Sequence, residues 1–177
     1  ADLRPIGIQA EADMYAATGG VNTHKGALFS LGLLCAAAGR LQARNRPVTV
    51  ENLCGLAAEM TAGITAREMN ATDTHGLAVP AQYGAKGVRG EAESGFESVR
   101  ALALPYLKRE NGPYLALLHL IAQVRDTNVL HRAGEEGLCW LQSRAKDLLN
   151  SFSIPALEQF DRECIPILLE GCTPSLD

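Results

Sequence analysis

Residues 27 to 38 read Ala-Leu-Phe-Ser-Leu-Gly-Leu-Leu-Cys-Ala-Ala-Ala, and the spacing of the apolar side chains in this stretch decides the fold class. Apolar residues three and four positions apart lie on one face of an α-helix, whereas strict alternation would indicate a strand. Three segments with this helical spacing are Leu28, Leu31, Leu34 and Cys35; Leu115, Leu118, Ile121 and Ala122; and Leu138, Leu141, Ala145 and Leu148. The pattern predicts an all-α fold, which we expect to be a multi-helix orthogonal bundle forming a single domain over residues 1–177.

Glycine and proline residues mark the expected helix boundaries, because glycine often follows a helix end and proline suits a helix start. Thr49 is expected to cap the third helix, and Pro105 should bend or break the sixth. The predicted helices cover residues 5–17, 23–43, 49–61, 65–70, 74–83, 89–110, 113–132, 135–150 and 154–164.

The composition is that of an ordinary globular protein. Hydrophobic residues make up 47% of the chain, charged residues 20%, and the net charge is -4, which argues against a general nucleic-acid coat. The apolar run at residues 27–38 is broken by Ser30 and Gly32 and is too short to span a bilayer. The five cysteines lack CxxC spacing, which favours reduced thiols over a disulfide framework or a zinc site. We expect a cytoplasmic protein with no nucleic-acid or membrane partner.

The stretch from Thr18 to Gly26 combines two glycines, several polar side chains and a lysine directly before an apolar helix. Gly19 and Gly20 can take left-handed backbone angles and approach a ligand closely. Asn22 or Thr23 can cap the following helix, whose first N–H groups attract anions. The stretch therefore indicates a phosphate cradle. The alternative is a C-cap and turn between two helices, although that would not explain His24 and Lys25.

Three further polar segments stand apart from the amphipathic background. Residues 72–76 include Asp73 and His75, and residues 83–96 place four glycines around Lys86 and Arg89. The third segment, residues 125–134, holds Asp126, Asn128, His131 and Arg132 within two helical turns. Each segment has a plainer interpretation: a helix N-cap for the first, a solvated loop for the second, and a capping aspartate with a nearby arginine ion pair for the third.

Taken together, these segments contain the groups that a nucleoside triphosphate requires. Cations bind phosphate oxygens, while Mg²⁺ prefers carboxylates combined with water and substrate phosphates. The candidate cations are Lys25, Lys86, Arg89 and Arg132, and the candidate acids, for Mg²⁺ or for base catalysis, are Glu11, Asp73, Glu91 and Asp126.

In this order, the segments resemble the triphosphoribosyl-dephospho-CoA synthase family. The resemblance rests on residues 19–26 leading into residues 28–32, Thr74-His75-Gly76 followed by Tyr83-Gly84, residues 87–91 with Ser94-Gly95-Phe96, and residues 126–128 with 131–134. It implies an all-α fold and a reaction in which ATP gives its triphosphoribosyl group to the 2′-hydroxyl of 3′-dephospho-CoA, releasing adenine. The product would become the prosthetic group of the acyl carrier subunit of citrate lyase or malonate decarboxylase. An acyl carrier protein and its prosthetic-group transferase would then be downstream partners.

The chemistry of this reaction suggests a role for each candidate residue. A base must take the proton of the attacking hydroxyl, and we expect Asp126 or Glu91 to do so. His24 or His131 would assist the departure of adenine, and Glu11 and Asp73 would lie nearer to Mg²⁺. The expected ATP-binding residues are Gly19, Gly20, Asn22, Thr23, Lys25, His75, Lys86, Arg89, Asn128 and Arg132.

Some expectations remain open at this point. The family's N-terminal region and C-terminal glycine- and serine-rich motif are missing from the sequence, so we expect either a partial chain or a chain whose end has diverged. A homo-oligomer is compatible with the sequence. Two alternative functions are an all-α Mg²⁺-dependent nucleotide phosphohydrolase and a non-catalytic helical module that binds a nucleotide or CoA.

Overall fold

Every regular element in the described part of the chain is helical. A computed structural model describes residues 3–68, 85 and 87–169. The helices are α1 (Arg4–Ala17), α2 (Lys25–Ala43), α3 (Val50–Thr61), α4 (Ile64–Glu68), α5 (Gly87–Glu93), α6 (Gly112–Gln123), α7 (Thr127–Asn150) and α8 (Ile154–Leu169), with a π-helical segment at Val99–Ala103. The all-α prediction is confirmed. The predicted helix 74–83 lies outside the described residues, and the single-domain orthogonal bundle stays a prediction.

The described helices fall into two compact units. The first unit contains α1 to α3 and the start of α4, up to residue 66, and it also includes residues 88–96, which are nearly all of α5. Its core joins α2, α3 and α5 through Leu33, Cys54, Ala57, Ala92 and Phe96. A neighbouring cluster of Ala37, Leu41 and Leu56 extends the contact between α2 and α3.

The second unit contains the π-helical segment and helices α6 to α8. Leu118, Leu130 and Leu138 are almost fully buried in its core. On its surface, Nε and Nη2 of Arg144 on α7 donate to Oε2 of Glu163 on α8, at 3.1 and 2.8 Å. These hydrogen bonds hold the pKa of Glu163 below its usual value.

The predicted helix 89–110 is wrong as one continuous element. Helix α5 ends in a Schellman motif: the Gly95 N–H donates to the Ala92 carbonyl and the Phe96 N–H to the Glu91 carbonyl. Gly95 has φ +68° and a Cβ there would lie 2.8 Å from the Cys54 carbonyl oxygen, so only glycine fits. The π-helical segment that follows ends before Pro105, as expected for a residue without an N–H.

The predicted helix 113–132 is also wrong as one continuous element. The chain breaks earlier, at Val124 and Arg125, and α7 then starts behind Asp126. The predicted boundary between residues 132 and 135 is confirmed: Gly134 has non-helical angles, φ +64° and ψ -163°, so α7 consists of two helices that meet at a kink there. Helix α8 continues beyond residue 164 through Pro166, which lies near its end and removes one helical hydrogen bond there.

Helix α2 is the candidate among the described helices for crossing a membrane, by length and composition alone. One such helix is weak support, because the core helices of soluble proteins pass the same test. Leu33 and Leu41 of α2 are buried in clusters shared with α3, although 17% of its apolar window is buried in all.

Candidate functional site

The turn between α1 and α2 has the left-handed backbone that its glycine pair predicted. Gly19 has φ +64° and Gly20 has φ +85°. The Gly20 N–H donates to the Tyr15 carbonyl at 2.8 Å, and the Thr18 N–H donates to that of Met14 at 3.0 Å. These bonds close the C-terminus of α1. The plainer interpretation of the glycines, a C-cap and turn, is therefore part of the geometry, and it leaves the ligand-binding prediction open.

Helix α2 begins at Lys25, two residues later than predicted. Asn22 Oδ1 accepts a hydrogen bond from the Lys25 N–H at 3.2 Å, so Asn22 satisfies the first amide of the helix. The residue at the N-cap position is His24, whose side chain makes no capping bond. His24 Nδ1 instead hydrogen-bonds the Thr23 hydroxyl, and the His24 N–H lies 3.3 Å from Sδ of the buried Met14.

The side chain of Lys25 points back to α1. Its Nζ lies 2.9 Å from Oε2 of Glu11, and the two side chains are 38% and 32% exposed. From the sequence, we assigned Lys25 to phosphate and Glu11 to Mg²⁺. The structure brings these two residues together in one ion pair beside the glycine turn.

Helix α5 lies beside the first turn of α2. A Cβ built on Gly26 would lie 3.9 Å from Cγ2 of Val88, which is an ordinary van der Waals contact. Arg89, the next residue, is half-buried, and so is Glu91, whose Oε2 atom is fully buried. The structure therefore places a second cation and a second acid in the same unit as Lys25 and Glu11.

Glu93, which no sequence motif pointed to, forms two hydrogen bonds across the first unit. Its Oε1 accepts from the Gly63 N–H at 2.6 Å, and its Oε2 accepts from the Thr65 hydroxyl at 2.5 Å. The contact joins residues 28 and 30 positions apart in the chain, so no local pattern could have predicted it.

In the second unit, Asp126 is the N-cap of α7. Its Oδ1 accepts from the N–H groups of Asn128 at 2.7 Å and of Val129 at 3.2 Å. Oδ2 takes no part in this cap. The capping alternative that the sequence left open thus describes a real interaction of Asp126, and its assignment as a base stays a prediction.

The other predicted residues of this segment lie on the first two turns of α7. Asn128, His131 and Arg132 are all exposed there. The arginine ion pair beside the cap is formed by Arg125, whose Nη2 lies 2.5 Å from Oε1 of Glu135. Asp73, His75 and Lys86 lie outside the described residues, so their predicted roles stay predictions.

In the second unit, His119 belongs to a small cluster with Tyr106 and Arg109. The His119 ring stacks on Tyr106 with 3.7 Å between ring centroids, and the guanidinium carbon of Arg109 lies 4.8 Å from the Tyr106 centroid. Burial and, to a smaller extent, the positive charge of Arg109 lower the pKa of His119 below 6.5. His119 therefore favours its neutral form in the folded chain.

The acidic residues of the described chain bear on whether Mg²⁺ could be held. Within residues 3–68, 85 and 87–169, no three His, Cys, Asp or Glu side chains group as a metal site. Mg²⁺ commonly uses only one or two carboxylates, with water and substrate phosphates completing its shell. The carboxylate of Glu11, beside Lys25, is compatible with that kind of site.

Comparison with known proteins identifies the family. The model described as CitG, ATP:dephospho-CoA triphosphoribosyl transferase, matches residues 1–166. The probable 2-(5''-triphosphoribosyl)-3'-dephosphocoenzyme-A synthase of Citrobacter koseri is a curated relative that is 47% identical to this chain. That alignment covers 92% of the chain and 60% of the relative. No solved structure matches the chain.

This all-α chain, with its cation at a helix start, belongs to the ATP:dephospho-CoA triphosphoribosyl transferase family. The resemblance that the sequence motifs suggested is confirmed. The chain spans about 60% of the length of the curated relative it matches.

Proposed function

We propose that the protein transfers the triphosphoribosyl group of ATP to the 2′-hydroxyl of 3′-dephospho-CoA and releases adenine. The observation that carries this proposal is the family match over residues 1–166, which includes the glycine turn, Lys25 and Arg89. Because the chain spans only part of its relative, the proposal concerns the full-length protein.

We assign the triphosphate to the start of α2. A helix of 19 residues directs N–H groups and the positive end of its dipole toward its N-terminus, where anions are stabilised. Lys25 stands in its first turn and adds a full positive charge. The distance of 2.9 Å between its Nζ and Oε2 of Glu11 is typical of a charge-assisted hydrogen bond. A phosphate oxygen could take the place of the Glu11 oxygen in that bond.

Arg89 is the second cation of the proposed phosphate site. The position of Val88, whose Cγ2 would lie 3.9 Å from a Cβ built on Gly26, supports its inclusion, because it places the start of α5 beside the first turn of α2. A guanidinium can bind two phosphate oxygens at once, which an ammonium group cannot do. Arg89 would therefore fix the orientation of the triphosphate, while Lys25 supplies a point charge. His75, Lys86, Asn128 and Arg132 remain further candidates for binding ATP.

Glu11 is the described residue that we propose for Mg²⁺, together with Asp73. When Lys25 turns to a phosphate, the carboxylate of Glu11 becomes available beside that phosphate. A bound Mg²⁺ would neutralise phosphate charge and help to orient the ribose.

The transfer itself breaks the bond between C1′ of ATP and the adenine nitrogen and forms a bond from C1′ to the acceptor oxygen. The acceptor hydroxyl loses a proton, for which we propose Asp126 or Glu91 as the base. Adenine leaves with a proton, for which His24 and His131 are candidates. A general base that accepts the hydroxyl proton raises the rate by about 10²–10⁴-fold.

The same proposal implies downstream partners and a cellular location. The product would pass to a transferase that attaches it to an acyl carrier protein of citrate lyase or malonate decarboxylase. We propose a cytoplasmic enzyme, which could form a homo-oligomer.

Product analysis tests the proposed function. The full-length protein is incubated with ATP, Mg²⁺ and dephospho-CoA, and the products are separated by chromatography. We expect free adenine in amounts equal to a product that carries the triphosphate. Inorganic phosphate or pyrophosphate without adenine would instead support a phosphohydrolase.

A further inference from the structure

The carboxylate of Glu93 connects α5 to Gly63, which lies between α3 and α4, and to Thr65 in the first turn of α4. Its two oxygens accept from the Gly63 N–H, at 2.6 Å, and from the Thr65 hydroxyl, at 2.5 Å. Both contacts are half-buried. A carboxylate that receives two donors in such a setting forms charge-assisted hydrogen bonds, which are stronger than neutral ones.

The backbone at Gly63 is suited to this contact. Helix α3 ends at Thr61, and Gly63 then takes a left-handed conformation with φ +73°. The Glu93 carboxylate provides an acceptor for an N–H group that follows the end of a helix, where regular backbone partners run out. The contact therefore sets both the direction of the chain after α3 and the position of the C-terminal end of α5.

Helix α5 is only seven residues long and needs such support, because an isolated helix of this length is not stable in water. It is held at one face by Ala92 in the core and at its end by the Schellman motif through Phe96. Arg89 is four residues before Glu93 and so lies on the same face of the helix. A shift of α5 at Glu93 would therefore move Arg89.

We propose that Glu93 is a positioning residue for ATP, acting by fixing α5 so that the guanidinium of Arg89 meets the triphosphate. The inference rests on the proposed function, because it takes Arg89 as a phosphate ligand. It assigns Glu93 no contact with substrate.

A double-mutant cycle tests the inference. The dissociation constant of ATP with Mg²⁺ is measured by calorimetry for wild type, Glu93→Ala, Arg89→Ala and the double variant. Loss of two bonds to a charged group should weaken ATP binding by about tenfold in Glu93→Ala. In the Arg89→Ala background, the same change should have little further effect, since Glu93 acts through Arg89.

Three other variants separate positioning from general destabilisation. Glu93→Gln keeps a carbonyl oxygen for the Gly63 N–H and should recover most of the ATP affinity. Thr65→Val removes the second donor and should weaken binding in the same direction as Glu93→Ala. Glu59→Gln changes an exposed carboxylate on α3 and should leave the affinity unchanged.

Hydrogen exchange at the Gly63 amide reports the contact without using ATP, and it should accelerate in Glu93→Ala. The inference would be overturned if Glu93→Ala lowered the ATP affinity equally in the wild-type and Arg89→Ala backgrounds. It would also be overturned if Glu93→Ala accelerated exchange at the Gly63 amide but left the ATP affinity unchanged. A wild type that binds ATP with the expected cycle but releases phosphate rather than adenine would reject the proposed reaction and leave the role of Glu93 supported. A wild type that does not bind ATP would overturn both.

Discussion

Glu11 and Lys25 form an ion pair across the turn that joins α1 to α2, with 2.9 Å between Oε2 and Nζ. Both side chains remain about one third exposed, so the pair contributes little to stability, about 0–1 kcal/mol. Its interest is functional. The pair holds a lysine beside a helix N-terminus and keeps a carboxylate within reach of any cation that accompanies a bound phosphate.

Replacing each member of this pair should affect ATP binding differently. Lys25→Ala removes a phosphate ligand and should weaken binding by about tenfold both with and without Mg²⁺. Glu11→Gln should weaken ATP binding only when Mg²⁺ is present, because Glu11 is proposed to bind the metal and not ATP itself. Calorimetry in the presence of Mg²⁺ or of a chelator measures both cases.

Asp13→Asn provides the control for Glu11. Asp13 is an exposed acid on α1 whose Oδ1 accepts from Nε2 of Gln9, and its replacement should leave both affinities unchanged. Equal weakening by Glu11→Gln with and without Mg²⁺ would contradict its assignment to the metal.

Asp126 can be tested without loss of its structural role. Asparagine caps a helix about as well as aspartate, so Asp126→Asn should preserve the melting temperature while lowering adenine release by about 10²-fold or more. Asp126→Ala should in addition lose the cap of α7 and about 0.5–2 kcal/mol of stability. If Asp126→Asn retains normal turnover, Asp126 is a cap alone and the base is Glu91.

Two glycines with similar backbone angles should differ in their tolerance of a side chain. Gly19 at φ +64° has open space around a built Cβ, whereas a Cβ at Gly95, at φ +68°, would lie 2.8 Å from the Cys54 carbonyl oxygen. Gly19→Ala should cost about 1–2 kcal/mol from backbone strain alone. Gly95→Ala should cost about 1–3 kcal/mol more, because the backbone must move. Urea unfolding measures the loss of unfolding free energy in both variants. Equal losses would contradict the close approach of Gly95 to α3.

Acid should destabilise the folded chain partly through His119. The pKa of His119 is lowered from 6.5 by burial and by Arg109, so the unfolded chain takes up this proton at a higher pH than the folded chain. The contribution of neutral His119 to the free energy of unfolding is therefore fully present above about pH 6.5, and it is lost as the pH falls below that value. His119→Phe keeps a ring beside Tyr106 and should reduce the fall in melting temperature between about pH 7.5 and 5.5. If the melting temperature of His119→Phe falls as much as that of wild type, His119 does not cause the loss of stability in acid.

The sequence predicted well what depends on neighbouring residues. The period of the apolar side chains placed most helices within a few residues, and the glycine pair predicted the left-handed turn before Lys25. It failed for helix 89–110, because the Schellman motif at Gly95 depends on the close approach of Cys54. The contact of Glu93 with Gly63 and the pairing of Glu11 with Lys25 arise from tertiary packing, which periodicity does not report. Asp126 remained ambiguous because a cap and a base use the same carboxylate.

The most direct test of the account is the fate of ATP labelled separately in its adenine and in its γ-phosphate, incubated with the full-length protein, Mg²⁺ and dephospho-CoA. The account predicts that the adenine label appears as free adenine, while the phosphate label moves to the CoA derivative in equal amount. It further predicts that this transfer depends on Lys25 and Arg89. Phosphate label in inorganic phosphate or pyrophosphate, with the adenine label still on a nucleotide, would contradict the central claim.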